Sequence, residues 1–211
     1  MSRSLKTVGL LAFLVCLMCV GASAAAKAAE FHSASSTTYL SGAQETENVY
    51  TVNGGTIKCS GATFSSGAIE GTTQSSINLI PSYSGCKAFG QAATIAVEGC
   101  HLHVVIVSTG GAVSIVLTGG GVCRITIKTN TAKCHITIES GTPSTPTSSW
   151  ATRLVGGVKK LLKTWGLEGI SYTSTGGICG ASGTNGKLTG TVLLGGYKNA
   201  GLTEPVDIWV E

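Results

Sequence analysis

Charge is what this chain has least of. Charged residues make up 11% of its 211 positions, and Asp207 is the one aspartate beside nine glutamates. An ordinary soluble domain carries about 25%. The histidines are His32, His101, His103 and His135. So thin an inventory of acids and bases narrows the room for catalysis. No Gly-x-Ser-x-Gly elbow occurs, and Asp207 has no recognisable triad partner. Glycoside hydrolysis needs two carboxylates across one cleft. Here Glu45, Glu47, Glu70, Glu98, Glu139, Glu168 and Glu204 are scattered, mostly beside turn residues. Gly119-Gly120-Gly121 lacks the strand, helix and lysine of a phosphate loop, so no cofactor is expected. Cys-x-x-Cys pairs are missing too, which removes the usual zinc spacing.

What is present points to β-structure. Glycine supplies 30 residues, serine 23 and threonine 27, while 43% of the chain is hydrophobic. Many β-branched residues between glycine or polar turns predict short strands in an all-β fold, and this apolar content excludes a disordered chain. Candidate strands run from Thr37–Leu40 and Val49–Val52 through His101–Val107, Val122–Ile127 and Lys133–Ile138 to Gly177–Ala181, Lys187–Leu194 and Pro205–Val210. Such spacing predicts a β-sandwich, Ig-like or a related partly open barrel.

The N-terminus carries its own signal. Arg3 and Lys6 precede an apolar run from Val8 to Val20, and Gly21 to Ala28 then offers small residues before three cuts, after Ala24, Ala26 or Ala28. Residues 1–28 read as a secretory signal peptide. About 13 apolar residues are too few for a core needing about 20, so no transmembrane anchor is expected. Cys16 and Cys19 follow Val15 and Met18, where lipid attachment would need a small residue. Residues 29–211 are then one exported domain, secreted or held at the cell envelope, with a Ser/Thr/Pro surface loop at 140–149. The formal charge of +4 falls to about +2 without Arg3 and Lys6, too little for a nucleic-acid partner.

Six cysteines remain after the leader: Cys59, Cys86, Cys100, Cys123, Cys134 and Cys179. An even number in an exported chain predicts three disulfides. Within 122–138, alternation puts Cys123, Ile125 and Ile127 on one face and Cys134, Ile136 and Ile138 on the matching face. A turn centred near Lys128-Thr129 would set Cys123 opposite Cys134, the first expected bridge. Cys86–Cys100 is the next, and Cys59–Cys179 follows by elimination.

Three further patterns carry candidate function. His101, His103 and His135 are the weak candidates for a metal site; the same alternation turns each outward if the cysteines face the core. Thr126, Thr131 and Thr137, with Lys133 and His135, would line the outer side of the hairpin, a surface suited to a cell-wall or extracellular glycan. Arg153, Lys159, Lys160 and Lys163 form a basic cluster with no acid among them, read as a solvated face. Val158, Leu161, Leu162 and Trp165 also fall at helical spacing. Residues 158–165 are therefore either a short amphipathic helix or a strand.

Thr56 to Val104 resembles a family of uncharacterised, secreted, cysteine-containing, β-rich proteins of soil actinobacteria. The resemblance lies in Cys59, Ala62-Thr63-Phe64, Pro81-Ser82-Tyr83-Ser84-Gly85-Cys86-Lys87-Ala88-Phe89-Gly90 and Gly99-Cys100. Gly169-Ile170-Ser171-Tyr172 and Val206-Asp207-Ile208-Trp209-Val210 extend it over most of the mature chain, while Leu117 to Cys123 departs from it. The resemblance implies export, this fold and a strand over Leu154–Trp165, but no activity. The reading is a structural, adhesive or binding β-module rather than an enzyme, with a hydrolase or metal-dependent enzyme as the alternative.

Overall fold

The computed structural model describes residues 29–53, 55–106, 113–131, 133–140, 145–146 and 148–211. The expected signal peptide and half of the 140–149 loop lie outside them. Among the described residues the chain is all strand, with no helix: β1 (Phe31–Ser33), β2 (Thr37–Val52), β3 (Gly55–Ser65), β4 (Ile69–Glu70), β5 (Thr73–Gln74), β6 (Ser76–Ala88), β7 (Gln91–Glu98), β8 (His101–Ile106), β9 (Val113–Thr118), β10 (Arg124–Thr129), β11 (His135–Glu139), β12 (Thr145–Pro146), β13 (Ser149–Val155), β14 (Val158–Thr175), β15 (Gly183–Tyr197), β16 (Pro205–Val206) and β17 (Ile208–Val210).

Eight of these close a ring. The order β2-β3-β6-β7-β10-β11-β14-β15 returns to β2, every neighbour antiparallel. Consecutive ring strands are neighbours, which is an up-and-down barrel. Excursions decorate it: the β8–β9 hairpin extends the sheet from β6, and β13 folds back on β14. A separate sheet, β17-β1-β5, adds Phe31 and Ile208 to the core. The sandwich expectation is thus met only in part, because the main sheet closes on itself and loses its free edges there.

The longest strands outrun the ring and bend to do so. β2 shifts register between Ala43 and Asn48, β15 between Thr189 and Thr191, and β14 between Glu168 and Ile170. Bulges of this kind add twist and redirect a strand. Gly190 shows why the bend tolerates no side chain. Its φ is 148°, and a Cβ there would lie 3.1 Å from Asn48 Cα. Segments that look like turns, such as Ser41 to Asn48, are therefore bulged strand interiors. Gly177–Ala181, expected as a strand, is instead the connection between β14 and β15.

The interior is filled by side chains, as small barrels require. Ile57, Ala88, Ile127, Ile136, Leu161, Val192 and Leu194 are fully buried. All six cysteines are paired, but in another pattern than expected: Cys59–Cys86, Cys100–Cys123 and Cys134–Cys179. The faces of the hairpin are as read, but its register differs. Arg124 faces Glu139, so the turn lies beyond Thr129 rather than at Lys128-Thr129. Cys123 then sits by Ser140 and Cys134 by Thr129, at opposite ends of the hairpin. Cys59 and Cys86 face each other directly across β3 and β6. Cys134–Cys179 ties the start of β11 to the β14–β15 connection.

Non-reducing peptide mapping is expected to recover these three bridges and no Cys123–Cys134 peptide. The pairs close separations of 27, 23 and 45 residues. Replacing Cys134 and Cys179 together by serine should lower stability by about 4 kcal/mol, read by urea titration.

Candidate functional site

Two places stand out, one on the wall of the closed ring and one on the buried side of the β13–β14–β15 sheet beyond it. On the wall, β10, β11 and β14 turn alternate residues outward. Lys128 faces His135, which faces Thr175, and Thr126 faces Thr137, which faces Thr173. Facing residues on adjacent strands share a side of the sheet, so these six form two polar rows. Lys128, His135, Thr175 and Thr173 are exposed; Thr126, only 5% exposed, forms the floor. Lys128, Thr129, Cys134, His135, Thr175 and Gly176 line a depression of about 350 Å³. Thr131 and Lys133, expected on the same surface, instead lie in the turn, where the Thr131 hydroxyl donates to Gln91.

Several wall cations are held by acids; among the described residues, Lys128 and, on β6, Lys87 are not. Lys58 pairs with Glu47 at 3.1 Å, Arg153 with Glu45 at 2.7 Å, Lys187 with Glu168 at 2.8 Å, and Arg124 with Glu98. Lys128 has no acidic partner among the described residues. The same pairs show that Glu45, Glu47, Glu98 and Glu168 each neutralise a separate cation. Each exposed pair stabilises by about 0–1 kcal/mol at most.

The three candidate metal ligands are not brought together. His101 contacts Thr118 Oγ1 at 2.8 Å, and His103 contacts Asn78 Oδ1 at 2.8 Å. Both lie on β8, which among the described residues pairs with β6 and β9, whereas His135 lies on β11 between β10 and β14. Among the described residues no three His, Cys, Asp or Glu side chains are grouped to hold a metal ion.

The second place was hidden in the basic cluster. Residues 158–165 are strand, and Leu161, Lys163 and Trp165 alternate inward. That removes the exposed amphipathic helix a membrane-surface role would need. Lys163 is fully buried. Its Nζ lies 4.9 Å from the centre of the Trp150 ring and 5.3 Å from that of Trp165. Trp150 faces Lys163 across β13 and β14, which puts both on one side of the sheet. Lys163 Nζ, Trp150 Nε1 and Trp165 Nε1 are all buried with no hydrogen-bond partner among the described residues. Contacts continue inward: Trp165 packs on Phe64 at 5.5 Å and Phe64 on Tyr83 at 6.4 Å, and Tyr83 shares a 2.8 Å hydroxyl contact with Tyr50.

The other basic residues disperse. Arg153 is held by Glu45, and Lys159 lies 5.1 Å over Trp209. Asp207 accepts the Lys159 backbone N–H at 2.8 Å, so the one aspartate anchors the start of β14. Sequence reasoning missed Lys163 because basic spacing alone reads as a wet surface. The period-2 set Leu161, Lys163, Trp165 and Leu167 was the available signal.

Burial sets the chemistry of this core. It lowers the Lys163 amine from 10.5 to about 7. Two aromatic faces favour the cation by about 2 kcal/mol when desolvated, yet desolvation outweighs them. Burial also raises the Tyr50 phenol to about 12, with Tyr83 raised as well.

No protein-family model, curated protein or solved structure matches the chain. The fold defines the class: a disulfide-stapled up-and-down β-barrel with a polar outer face and a buried amine.

These shifts fix the direction of a pH profile. Between pH 7 and 10.5 the unfolded chain binds the Lys163 proton that the folded chain releases, so stability rises with pH. Above 10.0 the unfolded tyrosines ionise before Tyr50 and Tyr83, so stability falls again. Thermal unfolding is expected to show a maximum near pH 10, with a rise of at most about 1.4 kcal/mol per pH unit. Lys163→Met should flatten the rise and leave the alkaline fall; a rise that persists in this variant removes Lys163 as its cause.

Proposed function

We propose that the chain is an exported binding module that holds a cell-wall or extracellular glycan on the outer face of its barrel. The observation that carries this reading is the double row of Lys128, His135 and Thr175 beside Thr126, Thr137 and Thr173. Glycan recognition needs hydroxyl, imidazole and ammonium groups held at fixed spacing. A closed sheet supplies that spacing at little conformational cost, and preorganisation of this kind favours affinity. Three disulfides support work outside the cell, where such bonds persist, and residues 1–28 supply the leader for export. Among the described residues no helix is long and apolar enough to cross a membrane. The resemblance to secreted actinobacterial proteins points the same way.

Co-sedimentation of the mature, oxidised protein with insoluble peptidoglycan, chitin and cellulose tests the reading. Binding to at least one is expected, weakened about tenfold by the Lys128→Ala, His135→Ala double variant, which corresponds to about 1.4 kcal/mol. Binding to none would remove the glycan as partner. Undiminished binding by the variant would move the site off this face.

A further inference from the structure

The wall residues leave the buried cluster unused. We propose that Lys163 is a covalent acceptor for small uncharged aldehydes, which it holds as an imine. This site is separate from the outer face and does not rest on the glycan reading.

Four observations converge on it. First, the amine is unpartnered: a structural lysine in a core would be expected to hydrogen-bond or pair, and Lys163 Nζ does neither among the described residues. Second, its surroundings are apolar and flat. The rings of Trp150 and Trp165 lie within 4.9 and 5.3 Å, and Leu161 and Val192 are buried nearby on β14 and on the facing strand β15. A charged carbonyl compound would be desolvated there at a cost, whereas an uncharged one would not. Third, the indole N–H groups of Trp150 and Trp165 are two further buried donors without an acceptor. A carbonyl oxygen supplies the acceptor that the cluster lacks. Fourth, the ring over the amine on the β13 side lies on an edge strand. Trp150 is only partly buried, and its strand β13 hydrogen-bonds to β14 alone. Imine formation requires that a swing of that indole uncover the amine.

The step balances without a co-reactant. The Lys163 nitrogen lone pair attacks the aldehyde carbon, a C–N bond forms, and the oxygen takes a proton from nitrogen to give a carbinolamine. The hydroxyl then leaves with the second nitrogen proton as water, and a C=N bond remains. Only an unprotonated amine can begin this sequence, and burial near pH 7 keeps a large share of Lys163 in that form.

The test uses propanal with cyanoborohydride on the folded, oxidised protein at pH 7, followed by peptide mapping. Reduction fixes an imine as a stable secondary amine. Lys163 is expected to be labelled about tenfold faster than the mean exposed lysine, since those remain almost wholly protonated. Lys163→Met should lose this fast phase and keep the slow surface labelling. Tryptophan fluorescence should change with the same rate as the fast label. Surface labelling with Lys163 unmodified overturns the proposal. So does labelling of Lys163 that appears only in Trp150→Ala, because the native amine would then be sealed. The map of the unmutated protein decides the matter even where a variant fails to fold.

Discussion

Closure of the eight-stranded ring is the constraint on which the rest of this structure depends. Antiparallel pairing between β14 and β15, and between β15 and β2, completes the circle, so no ring strand is left as a free edge. Strands as long as Val158–Thr175 cannot stay in so small a circle along their whole length. They leave it at bulges, near Gly169, Gly190 and the Ala43–Asn48 shift. Beyond those points β14 and β15 form an open sheet, contacted by β17 and flanked by β13. The buried lysine sits in that open part, one strand from the edge. The polar rows sit on the closed part, where spacing is rigid. The two candidate sites thus inherit different mechanical settings from a single topological fact.

Much of this was legible in the chain, and the failures share a cause. Composition and turn spacing gave an all-β fold, and alternation in 122–138 placed Ile125, Ile127, Ile136 and Ile138 inward as found. What alternation cannot supply is register. The hairpin turn fell beyond Thr129, and that shift moved Cys134 away from Cys123 to a partner 45 residues on. Ring closure is equally invisible, since it depends on strands far apart in sequence. Ser41 to Asn48, rich in polar residues and glycine, reads as a turn because a bulged strand uses the same residues.

The polar face was half legible. Thr126, Lys128, Thr137 and His135 lie on it as their parity requires, while Thr173 and Thr175 join them through pairings that local pattern does not reveal. Lys163 was misread for a different reason. Lysine is almost never fully buried, so its place in a cluster with Arg153, Lys159 and Lys160 outweighed its parity with Leu161 and Trp165. A strong composition rule overrode a local period, and the exception proved to be the most chemically distinctive residue described.

Keeping such a residue has an energetic consequence that the disulfides meet. An amine lowered from 10.5 to about 7 costs the fold several kcal/mol at neutral pH relative to an apolar side chain. That is a large fraction of the 5–15 kcal/mol by which domains are stable. Each of the three bridges offsets about 3–4 kcal/mol by restricting the unfolded chain. The staples therefore act where the core does not, on the unfolded ensemble. They allow the interior to hold an unpaired amine between two indoles without losing the native state. An apolar residue at position 163 would raise stability further and remove the only buried amine described; the two indole faces do not recover the cost of burying the amine, which is the physical ground for seeking its role in chemistry.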